Sequence, residues 1–329
     1  MNHSFLRRLR RVPQAMAAAL AMLASSAPAG AQEFPSRPVH MVVPYTAGGS
    51  SDSVARLISQ KLTEQFGQSV VVENKAGAGA TIGTAYAARK GQEGYVALLA
   101  DNAQTVAPTM YSSLPYDAIG DFHVVGLIGE ASAMLFASQA SGLKSVQDVL
   151  EQSRKQPGSL TIGTGNGSPS HLITELFQIK SGAKLQIVPY KGASAALADL
   201  LAGHIDLVFT NPASGAQHLK SGKIALLAQS GRKRDPRFPD APTFDQAGVA
   251  GLDAKYWFAV LVPADTPEPA KERWHRALDA VLAMPDVAAK LDEMGISPSR
   301  MTPAQALAMI EQEARLWKEV AQTAGIKAN

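Results

Sequence analysis

The sequence predicts an α/β fold: two sets of strand–helix units followed by a carboxy-terminal helical tail. Three observations carry this reading. From Val39 onward, short runs rich in Val, Ile and Leu alternate with amphipathic helical patterns. Those runs are continuously apolar, which is how strands read when both faces of a parallel sheet are covered by helices. Beyond Pro267 the strand signals stop, and helical periodicity continues to Gly325.

In chain order, strands are expected at Val39–Val43, Val70–Glu73, Val96–Ala100, Leu160–Gly163, Leu185–Tyr190, Ile205–Thr210 and Lys223–Gln229. The first helix, from about Asp52 to Phe66, sets Val54, Leu57, Ile58, Leu62 and Phe66 on one face and stops at Gly67, where a left-handed cap suits glycine. Another opens at Ser168-Pro169, a serine N-cap with proline in the first helical position, and closes near Gly182. A third, Ser194–Ala202, ends at Gly203. The charged, proline-rich segment Arg232–Pro242 is a surface loop. In the tail, Pro267–Ala283, Asp286–Met294 and Thr302–Gly325 are helical, and Thr302-Pro303 repeats the cap-plus-proline signal.

Charge and composition narrow the function classes. Arg7, Arg8, Arg10 and Arg11 precede a short Ala/Leu/Met stretch and then Ala29-Gly30-Ala31, so residues 1–31 are expected to be a secretory signal peptide cut after Ala31. The apolar core, roughly residues 15–24, falls short of the ~20 residues a spanning helix needs. Those 31 residues hold four arginines and no acid, which leaves 27 basic and 28 acidic side chains on the mature chain, a net charge of −1. The basic balance therefore belongs to the leader, and no clustered basic stripe points to nucleic acid. The absence of cysteine rules out disulfides and a lipidated amino-terminal cysteine. Two domains are expected for a mature chain of 298 residues. Histidines at 3, 40, 123, 171, 204, 218 and 275 show no HxH or HExxH spacing, so no metal or other cofactor is expected.

One turn motif recurs. In VPYTAGGSSDSVAR the small residues Ala47, Gly48 and Gly49 follow a strand, and Ser50, Ser51 and Asp52 open a helix. Open α/β sheets place ligands at the carboxyl ends of strands, and free N–H groups with the positive end of a helix dipole favour an anion. The same grammar returns at AGAGATIGT (Ala76–Thr84), GTGNGSPSHL (Gly163–Leu172) and PYKGASAAL (Pro189–Leu197). Gly77, Gly79 and Gly83 space as GxGxxxG, one residue too long for the dinucleotide fingerprint, and no Gly-Lys-Ser/Thr follows as in a phosphate loop. Ser170-His171 invites a nucleophile-plus-base reading, but neighbours at a helix start point in different directions and no GxSxG elbow exists. Asp52, Asp101, Asp199 and Asp206, near element ends, are read as caps or solvated charges.

With these residues in place, the chain resembles the Bug family, the substrate-binding receptors of tripartite tricarboxylate transporters. The resemblance runs through FPSRPVHMVVPYTAGGSSDSVAR, VVVENKAGAGATIGT, VPYKGASAALADLLAGHIDLVF and WFAVLVPADTP, and spans the whole mature chain. It implies a two-lobed periplasmic binding protein of the type II-like, Venus-flytrap kind, with lobe 1 at 32–130 plus 255–329, lobe 2 at 131–254, and the helical tail packing on lobe 1. It implies a site in which Tyr45, Thr46, Ala47, Gly48, Gly49, Ser51 and Asp52, with Gly79, Ala80 and Thr81, grip a ligand carboxylate through backbone amides. The second lobe would add Thr164, Gly165, Ser168, Ser170, His171, Tyr190, Lys191, Gly192, Thr210 and Asn211. Asn102 and Gln104 stand where many relatives have Ser or Thr and would shape the pocket floor. The chain departs from the family at Thr210-Asn211, where an Asp-Asn pair is common, and at Thr46, where Pro is common.

The resemblance implies a monomeric periplasmic receptor, not an enzyme, that delivers a small carboxylate to a membrane permease or signals to a sensor kinase. An exported hydrolase would need a nucleophile–base pair the sequence does not show. A cytoplasmic nucleotide-binding enzyme conflicts with the leader and the mis-spaced glycines.

Overall fold

The computed structural model describes residues 34–90, 93–165, 168–190 and 193–326. The expected leader and the pair Lys191-Gly192 lie outside the described residues. The elements run β1 (Val39–Val43), α1 (Ser50–Phe66), β2 (Val70–Asn74), α2 (Thr81–Lys90), β3 (Val96–Asp101), α3 (Ala103–Met110), β4 (Phe122–Ser132) and β5 (Met134–Ser138). They continue with α4 (Val146–Lys155), β6 (Thr161–Gly165), α5 (Pro169–Ser181), β7 (Gln186–Tyr190), α6 (Ala193–Ala202), β8 (Leu207–Thr210), α7 (Pro212–Gly215) and β9 (Ile224–Gln229). β10 (Lys255–Pro263), α8 (Glu268–Leu282), α9 (Pro285–Glu293), β11 (Ser297–Pro298) and α10 (Pro303–Ala324) complete the chain.

Local chemistry accounts for the helix ends. α1 buries Val54, Ile58, Leu62 and Phe66, an i, i+4 stripe, and stops at Gly67, whose φ of 66° lets its N–H return to the Thr63 carbonyl. Thr302 caps α10 in a reciprocal box with Gln305. Ser168 is the N-cap of α5 by position, yet its hydroxyl makes no capping bond and lies 2.8 Å from the Ser170 hydroxyl instead.

The strands form two mixed sheets, ordered β11-β4-β10-β3-β1-β2 and β7-β6-β8-β5-β9. The expected parallel pairing holds for β1 with β2 and β3, and for β6 with β7 and β8. The strands the periodicity did not single out, β4, β5 and β10, bring in the antiparallel pairing: β10 pairs with β3 and β4, and β5 with β8 and β9, so that β9, expected in a parallel sheet, joins its sheet antiparallel through β5. Consequently the chain changes sheet at Ala133 and changes back between β9 and β10.

The described residues from Arg37 onward form one compact unit. The first sheet packs Leu98, Leu127, Trp257 and Leu261 into one cluster, and the second gathers Leu135, Ile162, Phe177, Phe209 and Phe244 into another. Phe177, Phe209 and Phe244 stand 5.8–6.1 Å apart as tilted and edge-on rings. The tail helix α10 serves both clusters: Ala306 and Ile310 belong to the first, while Trp317, Val320 and Ala321 belong to the second. It spans 22 residues, about 33 Å, long enough to bracket both sheets.

Candidate anion-binding site

The turn from β1 into α1 is built around Asp52. Gly48 adopts φ 90°, a left-handed conformation that glycine tolerates, and its N–H donates to Asp52 Oδ2 at 3.0 Å. Arg56 Nε and Nη2 reach the same carboxylate at 2.9 and 3.0 Å, and Asn74 Nδ2 at 2.9 Å. The Arg56 guanidinium, with the Gly48 and Asn74 donors, holds the Asp52 carboxyl down at about 2 against the cost of its burial. The Asp52 side chain and the Gly48 amide are thus engaged with each other as an internal brace, while the Asp52 N–H itself is left for another partner.

What this brace leaves open is the helix start. The first intrahelical bond is Ser53 N–H to Gly49 O at 3.0 Å, and among the described residues no acceptor takes the N–H groups of Ser50, Ser51 or Asp52. Thr46, Ala47, Gly48 and Gly49 are exposed. A side chain at Gly49, whose φ of −84° any residue could adopt, would meet nothing within 4 Å. The bareness thus keeps space clear in front of three free amide donors.

The second turn is held differently. Ala78, Gly79 and Ala80 all have positive φ, 44°, 59° and 79°. Left-handed backbone costs about 1–2 kcal/mol per non-glycine residue, so the two alanines hold a strained run that the surroundings must support. Thr81 donates its hydroxyl to the Ala78 carbonyl at 2.8 Å and Thr84 to Ala80 at 3.0 Å. A Cβ on Gly83 would stand 2.7 Å from both Pro44 Cα and the Lys75 carbonyl. The third glycine of the mis-spaced motif thus lets α2 press against the first turn.

On the second sheet, Gly165 pairs level with Tyr190 at the ends of β6 and β7, and Thr210 ends the neighbouring β8. Thr164 is 1% exposed, and its Oγ1 is buried without a hydrogen-bond partner among the described residues. Ser170 Oγ accepts the Gly165 N–H at 3.3 Å. Tyr190 donates its hydroxyl to Asp199 Oδ2 at 2.7 Å, and burial together with that carboxylate pushes the phenol up to about 12. His171 Nε2 lies 3.8 Å from Glu175 Oε1; burial lowers the imidazole and raises the carboxyl, which favours the neutral form of each. Asn211 caps α7 by accepting the Ser214 N–H at 3.0 Å. Ser214 Oγ stands 3.4 Å from Ser50 Oγ, so a turn of the second sheet meets the anion turn of the first.

Two further residues need correction or addition. Asn102 is 1% exposed and fully occupied: it donates to the Lys255 carbonyl and to Glu313 Oε1 at 2.8 and 2.7 Å, and accepts the Trp257 N–H at 3.1 Å. It is a structural joint rather than pocket floor, as is Gln104, which donates to the Ala118 carbonyl. Glu313 on α10 also accepts from Thr105 Oγ1 and Trp257 Nε1 at 2.6 and 2.7 Å, and burial pushes its carboxyl up to about 7. Asp101, read from sequence as a cap or solvated charge, is half-buried beneath the first turn. It accepts the Tyr45 hydroxyl at 2.8 Å, the Ser51 hydroxyl at 2.9 Å and the Ala103 N–H at 3.0 Å. Its sequence signal is an acid placed directly after a buried apolar strand at a sheet's carboxyl edge.

A family model described as the tripartite tricarboxylate transporter family receptor matches residues 54–326. The chain is 33% identical over 305 residues to protein BugT of Bordetella pertussis, covering 92% of this chain and 94% of that one. Among solved structures it resembles the periplasmic binding protein BugD, with TM-score 0.81, 32% identity and coverage of 90% and 100% of the two chains. It likewise resembles R. palustris Rpa4515 with adipate, with TM-score 0.83, 33% identity and coverage of 90% and 100%. MatC from Rhodopseudomonas palustris with bound malate gives TM-score 0.80 at 27% identity, with coverage of 87% and 99%.

Proposed function

The chain belongs to the tripartite tricarboxylate transporter receptor family, a family of solute-binding receptors, and on that premise we propose that it captures a small carboxylate between its two sheets in the periplasm and delivers it to a membrane permease. The observation that carries the ligand class is the first turn of α1, where three amide N–H groups have no acceptor among the described residues and a braced glycine turn keeps the space before them clear. Neutral amides at a helix N-terminus hold a carboxylate without a dedicated arginine. The adipate and malate complexes of two relatives support the same class.

Capture works by closure. Ser50 and Ser214 bring the turns of the two sheets to 3.4 Å, and the buried Thr164 hydroxyl and the Thr210-Asn211 end of β8 are the second sheet's contribution. Ligand held by both sets of donors favours the closed state, because only that state makes both sets of contacts. The expected leader directs the chain to the periplasm, where it acts as a monomer. A thermal-shift and calorimetric screen of mono-, di- and tricarboxylates tests the reading. At one hundred times the dissociation constant a carboxylate should stabilise the protein by about 2.7 kcal/mol. If no carboxylate stabilises it, the proposal is wrong.

A further inference from the structure

Asp101 decides which way the hydroxyls of the first turn point. The carboxylate ends β3, is half-buried, and receives three donors: the Tyr45 hydroxyl and Ala103 N–H on Oδ1, and the Ser51 hydroxyl on Oδ2. Among the described residues no cation pairs with it. Three converging donors suit an ionised acid, which can only accept. A hydroxyl carries a single proton, so Tyr45 and Ser51, having donated to Asp101, offer any further partner lone pairs only.

The consequence falls on the ligand, and it rests on the carboxylate reading above. Ser51 supplies one of the three free amides, and covalent geometry places its Oγ beside its own N–H. A carboxylate seated on that amide therefore meets a hydroxyl oxygen that can accept but not donate. A bare methylene next to the carboxylate leaves that oxygen unsatisfied, whereas a hydroxyl on the adjacent carbon can donate to it. We propose that the receptor selects 2-hydroxycarboxylates over their deoxy counterparts, with Ser51 as the acceptor and Asp101 as the residue that positions it.

The test uses the intact mature protein and matched pairs: malate against succinate, lactate against propionate, and mandelate against phenylacetate. Calorimetric affinities should favour the hydroxy member of any pair that binds by about tenfold, the worth of one satisfied hydrogen bond in a desolvated site. In Ser51→Ala the hydroxy-to-deoxy ratio should fall to about one. In Asp101→Asn, where the amide can donate to one hydroxyl and free its proton to turn outward, the ratio should also shrink. A ratio near one in the wild type or an undiminished ratio in Ser51→Ala overturns the inference while leaving the carboxylate reading standing. Failure of these compounds and of every member of the wider carboxylate screen to bind overturns both.

Discussion

The β1–α1 turn and the β6–α5 turn look alike in sequence, each a cluster of small residues between a strand and a helix, yet they are held in opposite ways. The first is fixed by charge: Asp52 gathers Gly48, Arg56 and Asn74, and Asp101 gathers Tyr45 and Ser51. Among the described residues the second is held by neutral hydroxyls, Ser168 and Ser170, and the Thr164 hydroxyl is buried with no partner among them. The difference separates two tasks. A rigid set of amides supplies anion affinity at little ordering cost on binding. A hydroxyl-lined turn supplies groups whose protons can rotate to suit what the anion carries.

Breaking the brace should have the largest effect. Asp52→Ala removes an acceptor of four hydrogen bonds, two of them from Arg56, and should lower stability by about 2 kcal/mol while abolishing measurable carboxylate binding. The group's folded pKa is depressed, so its stabilisation is complete above the unfolded value of about 3.9 and fades as pH falls through about 2. Asp52→Asn should correspondingly flatten the acid limb of a melting-temperature profile. Carboxylate affinity equal to wild type in Asp52→Ala would erase the distinction between the turns.

Gly83→Ala comes next. Its Cβ would press on backbone atoms of Pro44 and Lys75, and overpacking of that kind costs about 1–3 kcal/mol. Chemical denaturation should show the loss, and ligand affinity should fall with it because the contact joins the two turns of the first sheet. Smaller still is Thr164→Val. Removing a buried hydroxyl with no partner should leave the ligand-free protein as stable or more so, yet weaken carboxylate binding by about tenfold. A stability loss without an affinity loss would assign Thr164 to the framework instead.

The smallest expected effect on ligand affinity concerns the tail that joins the two regions. Glu313 has its pKa raised to about 7 by burial, so its contribution to stability is full below the unfolded value of about 4.3 and is lost as pH rises through about 7. Wild-type melting temperature should carry that slope between pH 5 and 8, and Glu313→Gln should flatten it; parallel profiles would contradict the role.

Much of this is legible in the sequence. Helix ends, the small-residue turns and the parallel strands are local signals, written within a few residues by Gly67, Ser168-Pro169 or Thr302-Pro303. The polar hubs are not. Asp101 meets Tyr45 across 56 positions and Glu313 meets Thr105 across 208, so nothing near either acid announces its partners. For the same reason no local signal announces the internal partners of the Asp52 and Asn102 side chains, two residues that the family resemblance set among the ligand groups. The long antiparallel strands β4 and β10 escape because a continuous apolar run does not reveal the direction of its pairing.

The central claim is that the amides of Ser50, Ser51 and Asp52 receive the carboxylate. Amide proton–nitrogen correlation spectra of the isotope-labelled mature protein, titrated with a carboxylate that raises its melting temperature, address it directly. The account predicts that these three amide protons move downfield by the largest increments in the spectrum and saturate with the calorimetric affinity. Saturable binding with all three resonances unmoved would contradict it.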